Sequence, residues 1–122
     1  MERKFKKYKN SVAVFLDGEL DQYAAAEIKG KIDVEMENSE KKNLIIDLSK
    51  VTLMDSSGIG LIIGRYRMLT PVGGKVAISG GSNAVRKVVD LSGIKRIIPC
   101  FNSAEEADKS FKNMQNSGRE NK

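Results

Sequence analysis

The chain has 122 residues, 40 % of them apolar and 30 % charged, which suits one folded soluble domain and is too short for two ordinary ones. Histidine is absent and cysteine occurs once, as Cys100, so His-dependent triads, an internal disulfide and multi-cysteine metal sites are excluded. The net charge of +5 is concentrated at the start: Arg3, Lys4, Lys6, Lys7 and Lys9 against Glu2 supply +4, leaving +1 for everything after residue 9. A nucleic-acid binder spreads basic residues over a folded face. Here the pattern suits a lysine-guarded edge strand or a solvated arm.

Residues 11–17, Ser-Val-Ala-Val-Phe-Leu-Asp, form a β-rich apolar run after a turn at Lys9-Asn10. Asp21 stands where a helix N-cap would stand, and Ala25, Ile28, Ile32 and Met36 follow at helical spacing. Asn38 to Lys42 is a polar break, and Leu44-Ile45-Ile46 is a second strand. A helix opens in Met54-Asp55-Ser56-Ser57-Gly58-Ile59-Gly60 and runs to about Thr70, before Pro71. Gly73-Gly74 turns into the strand 75–79. A helix covers about 83–91, with Gly93 suited to its C′ position. Ile97-Ile98-Pro99 reads as a short last strand at an edge. Ser103-Ala104-Glu105-Glu106 opens a last helix that buries Ala104, Ala107, Phe111 and Met114. Cys100 reads as a core or strand-edge thiol. From residue 43 strands and helices alternate, which predicts parallel strands with right-handed crossovers, and the first hairpin adds an antiparallel edge. The expectation is a single α/β domain over 1–115 with a mixed, mostly parallel sheet, then a disordered polar tail over 116–122.

The informative stretch is 55–68. At about 100° per residue, Ile59, Ile62, Ile63, Tyr66 and Leu69 share one side of a helix and read as core. The opposite side collects Ser57, Leu61, Gly64, Arg65 and Met68: two large apolar groups, a glycine that permits close approach, and one arginine. Such a set beside a serine suggests a docking face. Arg65 reads either as a solvated helix charge or as an anchor in that face. Asp55 or Ser56 would cap the helix, and Gly58 would serve a tight turn that keeps Ser57 open. Gly58, Gly60 and Gly64 do not have the dinucleotide-binding spacing, no lysine follows them as in a P-loop, and no Gly-x-Ser-x-Gly is present. No enzyme chemistry, cofactor or metal is expected.

Asp55-Ser56-Ser57-Gly58-Ile59-Gly60, after the strand Leu44-Ile45-Ile46-Asp47-Leu48, resembles the signature of STAS domains of the anti-sigma-factor-antagonist kind. Gly18-Glu19-Leu20-Asp21 resembles the family's second motif. Gly64-Arg65-Tyr66-Arg67, Gly73-Gly74 and Asp90-Leu91-Ser92-Gly93-Ile94 resemble the branch serving the sporulation sigma factor F. The likeness is collinear over about residues 10 to 108.

The resemblance implies a partner-switching cycle. The unphosphorylated protein binds an anti-sigma factor that is also a serine kinase, the sigma factor is released, and phosphorylation ends the complex until a serine phosphatase resets it. The phosphorylated residue falls on Ser57. Partner contacts are expected at Asp21, Asp55, Ser56 and Gly58 in the loops, and at Leu61, Gly64, Arg65 and Met68 along the helix. No segment reads as a membrane span or signal peptide, so a cytoplasmic monomer binding neither nucleic acid nor membrane is expected. The alternative within the same fold is an adaptor subunit of a stress-signalling or transport complex.

Overall fold

The apolar runs of the sequence become a five-stranded sheet in the computed structural model, which describes residues 1–120 and side chains through Lys112. Strand β1 (Glu2–Lys7) lies antiparallel to β2 (Val12–Leu20), and β3 (Leu44–Met54), β4 (Val76–Ser79) and β5 (Cys100–Phe101) follow in parallel. The strand order is that of the chain. Helices α1 (Gln22–Glu37), α2 (Ser56–Leu69) and α3 (Asn83–Ser92) cross between the parallel strands, and α4 (Ala104–Glu120) follows β5.

The amino-terminal lysines belong to a paired edge strand. Phe5 lies opposite Val14 and packs against the core, while Lys4 and Lys6 lie opposite Phe15 and Ala13 on the other face. Exposed lysines along such an edge discourage pairing with a further strand.

Both faces of the central strands are covered, so they read as continuous apolar runs rather than alternating ones. One face (Val14, Leu16, Ile46, Leu48 and Ile78) meets Ile28 and Ile32 of α1, Ile59 and Ile62 of α2, and Val85 and Val89 of α3. The other (Ala13, Ile45 and Ala77) lies beneath Ala104, Ala107 and Phe111 of α4. Asp47 interrupts the apolar run of β3 and is buried there. Its carboxylate accepts the Ser79 hydroxyl at 2.6 Å and the Ser49 N–H at 3.0 Å, which makes its burial tolerable.

The last strand is displaced from its expected position. Ile98 is fully buried at the end of a 3₁₀ turn over Ile94–Arg96, its N–H donating to the Ile94 carbonyl at 2.9 Å. Strand pairing starts at Cys100, so Cys100 is an exposed edge thiol. Of the apolar pair only Ile98 is buried, in a turn rather than an extended strand, and Ile97 is exposed. Gly93 terminates α3 with φ of 77°, as expected for a left-handed cap. Helix α4 continues beyond residue 116, where the sequence places a polar tail. The expected burial of Met114 and residues 121–122 lie outside the described residues.

Candidate partner-binding site at the start of α2

The register of β2 on β3 pairs Leu20 with Met54, so the residues that follow, Asp21 and Asp55, stand side by side at the carboxyl ends of neighbouring strands. Each caps the helix that it precedes. Asp21 Oδ1 accepts the Ala24 N–H at 2.9 Å, and Asp55 Oδ1 accepts the Ser57 N–H at 2.8 Å. Asp55, not Ser56, is therefore the cap of α2, and the Ser57 hydroxyl is not needed for that role. Ser56 is exposed and Ser57 half-buried in the first turn. With Glu19 exposed just upstream of Asp21, the rim of this loop pair is acidic.

Three of the expected contact residues turn inward. Gly58 is buried, and a Cβ there would fall 2.5 Å from Met54 Cγ and 3.0 Å from Leu20 Cδ2, so close packing rather than a turn requires the glycine. Leu61 is 6 % exposed and Arg65 3 %. Conversely Ile63 and Tyr66, expected in the core, are half-buried at its margin. The buried arc of α2 is rotated by roughly 60° from the apolar stripe, at about 100° per residue. The cause is that α2 packs on the sheet with one side and against α1 with its flank. Sequence periodicity sees a single apolar direction, whereas this helix is covered on its flank as well as by the sheet.

Arg65 faces that flank. Its Nε lies 3.1 Å from Oδ1 of Asp33 on α1, an ion pair in contact whose alignment does not make a hydrogen bond, and Nη2 donates to Met68 Sδ at 3.2 Å. Nη1 has no acceptor among the described residues. The solvent side of α2 is left to Ser56, Ser57, Gly60, Gly64, Arg67 and Met68. Ser57, Gly64 and Met68 thus keep the positions expected of them. Gly60 and Asp33 were not anticipated. A Cβ on Gly60 would meet nothing within 4 Å, so it lies open beside the serines. Asp33 stands twelve residues after one cap and Arg65 ten after the other, a signal readable only once the caps are known to be adjacent.

No group of three or more His, Cys, Asp or Glu side chains among the described residues is placed to hold a metal, and no described helix is long and apolar enough to cross a membrane.

The STAS domain family model matches residues 3–107. The chain is similar to the anti-sigma F factor antagonist of Lysinibacillus sphaericus, 36 % identical over 86 residues that cover 70 % of this chain and 74 % of the relative. Its fold is similar to the anti-sigma factor antagonist SpoIIAA in its unphosphorylated form, with a TM-score of 0.78, 30 % identity and coverage of 92 % of this chain and 97 % of the other. It is also similar to the phosphorylated form of the Bacillus cell fate determinant SpoIIAA, with a TM-score of 0.66, 31 % identity and coverage of 87 % and 96 %.

Proposed function

This chain belongs to the STAS-domain family, and on that premise we propose that it is an anti-sigma-factor antagonist switched by phosphorylation of Ser57. The observation that carries the reading is the position of Ser57: at the amino end of α2, beside two capping aspartates, at the head of an open line of small residues. That a 31 % identical relative exists in a phosphorylated form supports it. The partners are an anti-sigma factor with serine kinase activity and a serine phosphatase. The chain supplies a surface and a hydroxyl, not catalysis, needs no cofactor, and acts as a cytoplasmic monomer.

The switch follows from where the charge lands. The kinase transfers the γ-phosphoryl of ATP to Ser57 Oγ: one P–O bond forms, the bond to ADP breaks, and the hydroxyl proton leaves. The product carries about −1.5 to −2 charge at the end of a helix whose dipole favours it. The fold therefore tolerates it. A partner surface packed against the same turn meets a group that must be desolvated, within an already acidic rim, and is expelled.

Capture of the partner on unphosphorylated protein, followed by incubation with ATP, tests the reading. One phosphate, mapped to Ser57 by mass spectrometry, is expected. Ser57→Asp should bind the partner at least tenfold more weakly while its unfolding free energy stays within about 0.5 kcal/mol of the parent. Ser57→Ala should bind normally and accept no phosphate. A phosphate on Ser56, or full affinity in Ser57→Asp, overturns the assignment.

A further inference from the structure

The guanidinium of Arg65, whose Nη1 has no acceptor among the described residues, points to a second anchor for the partner, eight residues along α2 from Ser57. A buried charged donor without an acceptor is unfavourable, and native structures complete such groups. Beside Arg65 lies a groove of about 200 Å³ between the carboxyl-terminal halves of α1 and α2, with Ile32, Met36, Met68 and Val72 as its apolar wall and Asp33 and Glu37 as its acidic one. Met68 and Val72 are 55 % and 54 % exposed. The thioether on Nη2 is a weak acceptor on a flexible side chain, readily displaced by a better one.

Resting on the reading of Ser57 above, we propose that the anti-sigma factor lies along the whole seam between α1 and α2, and that the Arg65 groove takes from it an apolar side chain and a main-chain carbonyl. Charge selects the acceptor. Asp33 and Glu37 against Arg65 leave the groove formally at −1, so a carboxylate or phosphate is repelled and a neutral carbonyl is not. Continuity selects the occupant. Ser56, Gly60, Gly64 and Met68 recur every fourth residue and line one side of α2 from the phosphorylation loop to the groove. A Cβ on Gly60 or Gly64 would meet nothing within 4 Å, so a partner backbone can approach closely. Ser57 and Met68 are about 16 Å apart along the helix axis, a span that one partner patch of about 800 Å² covers.

The test uses the full chain and the purified kinase that Ser57→Ala captures. With methionine methyl and arginine Nε–H signals followed by NMR, the complex should shift Met36, Met68 and Arg65 as well as residues of the Ser57 loop. Met68→Glu and Val72→Glu, on half-exposed side chains that the fold does not need, should each weaken binding at least tenfold, and Met68→Leu should restore affinity to within twofold of the parent. If Ser57→Asp binds weakly but both glutamate variants bind like the parent, the groove is not an anchor and the Ser57 reading stands. If Ser57→Asp binds like the parent, that reading falls and takes the inference with it. Concentration-dependent dimerisation of the free chain that Met68→Glu abolishes would assign the groove to a second copy and overturn the proposal.

Discussion

The two faces of the sheet are built on different principles. Beneath α1, α2 and α3, branched aliphatic side chains from strands and helices interlock without a polar group among the fully buried ones: Val14, Leu16, Ile46, Leu48 and Ile78 against Ile28, Ile32 and Ile62. Beneath α4 the strands offer Ala13, Ala77 and one larger residue, Ile45, and the helix answers with Ala104 and Ala107, so that Ile45 and Phe111 supply most of the bulk. Directional bonds supplement this thinner layer. Asp108, buried on α4, accepts the Ser11 hydroxyl at 2.7 Å and the Asn10 N–H at 2.9 Å, and the Tyr8 hydroxyl donates to Glu105 at 3.1 Å. The proposed phosphorylation site, Ser57, lies on the side of the thick layer. A charge added at Ser57 falls on a helix whose placement is set by non-directional burial, which an exposed phosphate does not disturb.

Substitutions on the two faces should therefore separate in size. Ile62→Ala, which empties a fully buried position under α2, should cost about 2–5 kcal/mol in urea unfolding. Asp108→Ala removes one acceptor and strands the Ser11 hydroxyl and the Asn10 N–H; about 1–3 kcal/mol is expected, with part recovered in Asp108→Asn. If Asp108→Ala proved the more damaging of the two, the hydrogen bonds rather than the aliphatic layer would hold the molecule together, and the comparison would invert.

How far the sequence discloses this structure depends on what each pattern measures. The alternation of strands and helices after residue 43 is visible because each apolar run is bounded by a cap or a glycine, as at Asp55 and Gly93. The Asp21 cap is legible and the α2 cap is narrowed to Asp55 or Ser56, since cap chemistry is local. The Ile97-Ile98 run misleads because Ile97 is an exposed apolar residue and only Ile98 is buried, at the end of a turn rather than in a strand. Leu61 and Arg65 mislead for a non-local reason: the second buried flank of α2 exists only because α1 lies alongside, carrying Asp33 to within 3.1 Å of Arg65. The motif from Asp55 to Gly60 indicates the candidate site, while which of its neighbours face solvent depends on the helix pairing.

The smallest effect sharpens the account of the α4 face. Tyr8 sits where β1 turns toward α4, and burial, together with its hydrogen bond to the Glu105 carboxylate, pushes its phenol from 10.0 up to about 12. Glu105 is correspondingly held below the usual carboxylate range, first by its own backbone N–H and then by Tyr8. The folded state thus prefers neutral Tyr8 more strongly than the unfolded chain does. Its contribution is complete below pH 10.0 and is lost as the pH rises through about 12, so the loss appears only in strong base. Tyr8 should ionise later than an ordinary phenol in a near-ultraviolet absorbance titration of the folded protein. Tyr8→Phe should remove that late step and leave partner binding unchanged, because the contact is on the face opposite the α1–α2 seam. Titration of Tyr8 at the ordinary phenol value would mean that the hydrogen bond to Glu105 does not persist in solution, and that α4 is held by Asp108 and its apolar contacts without it.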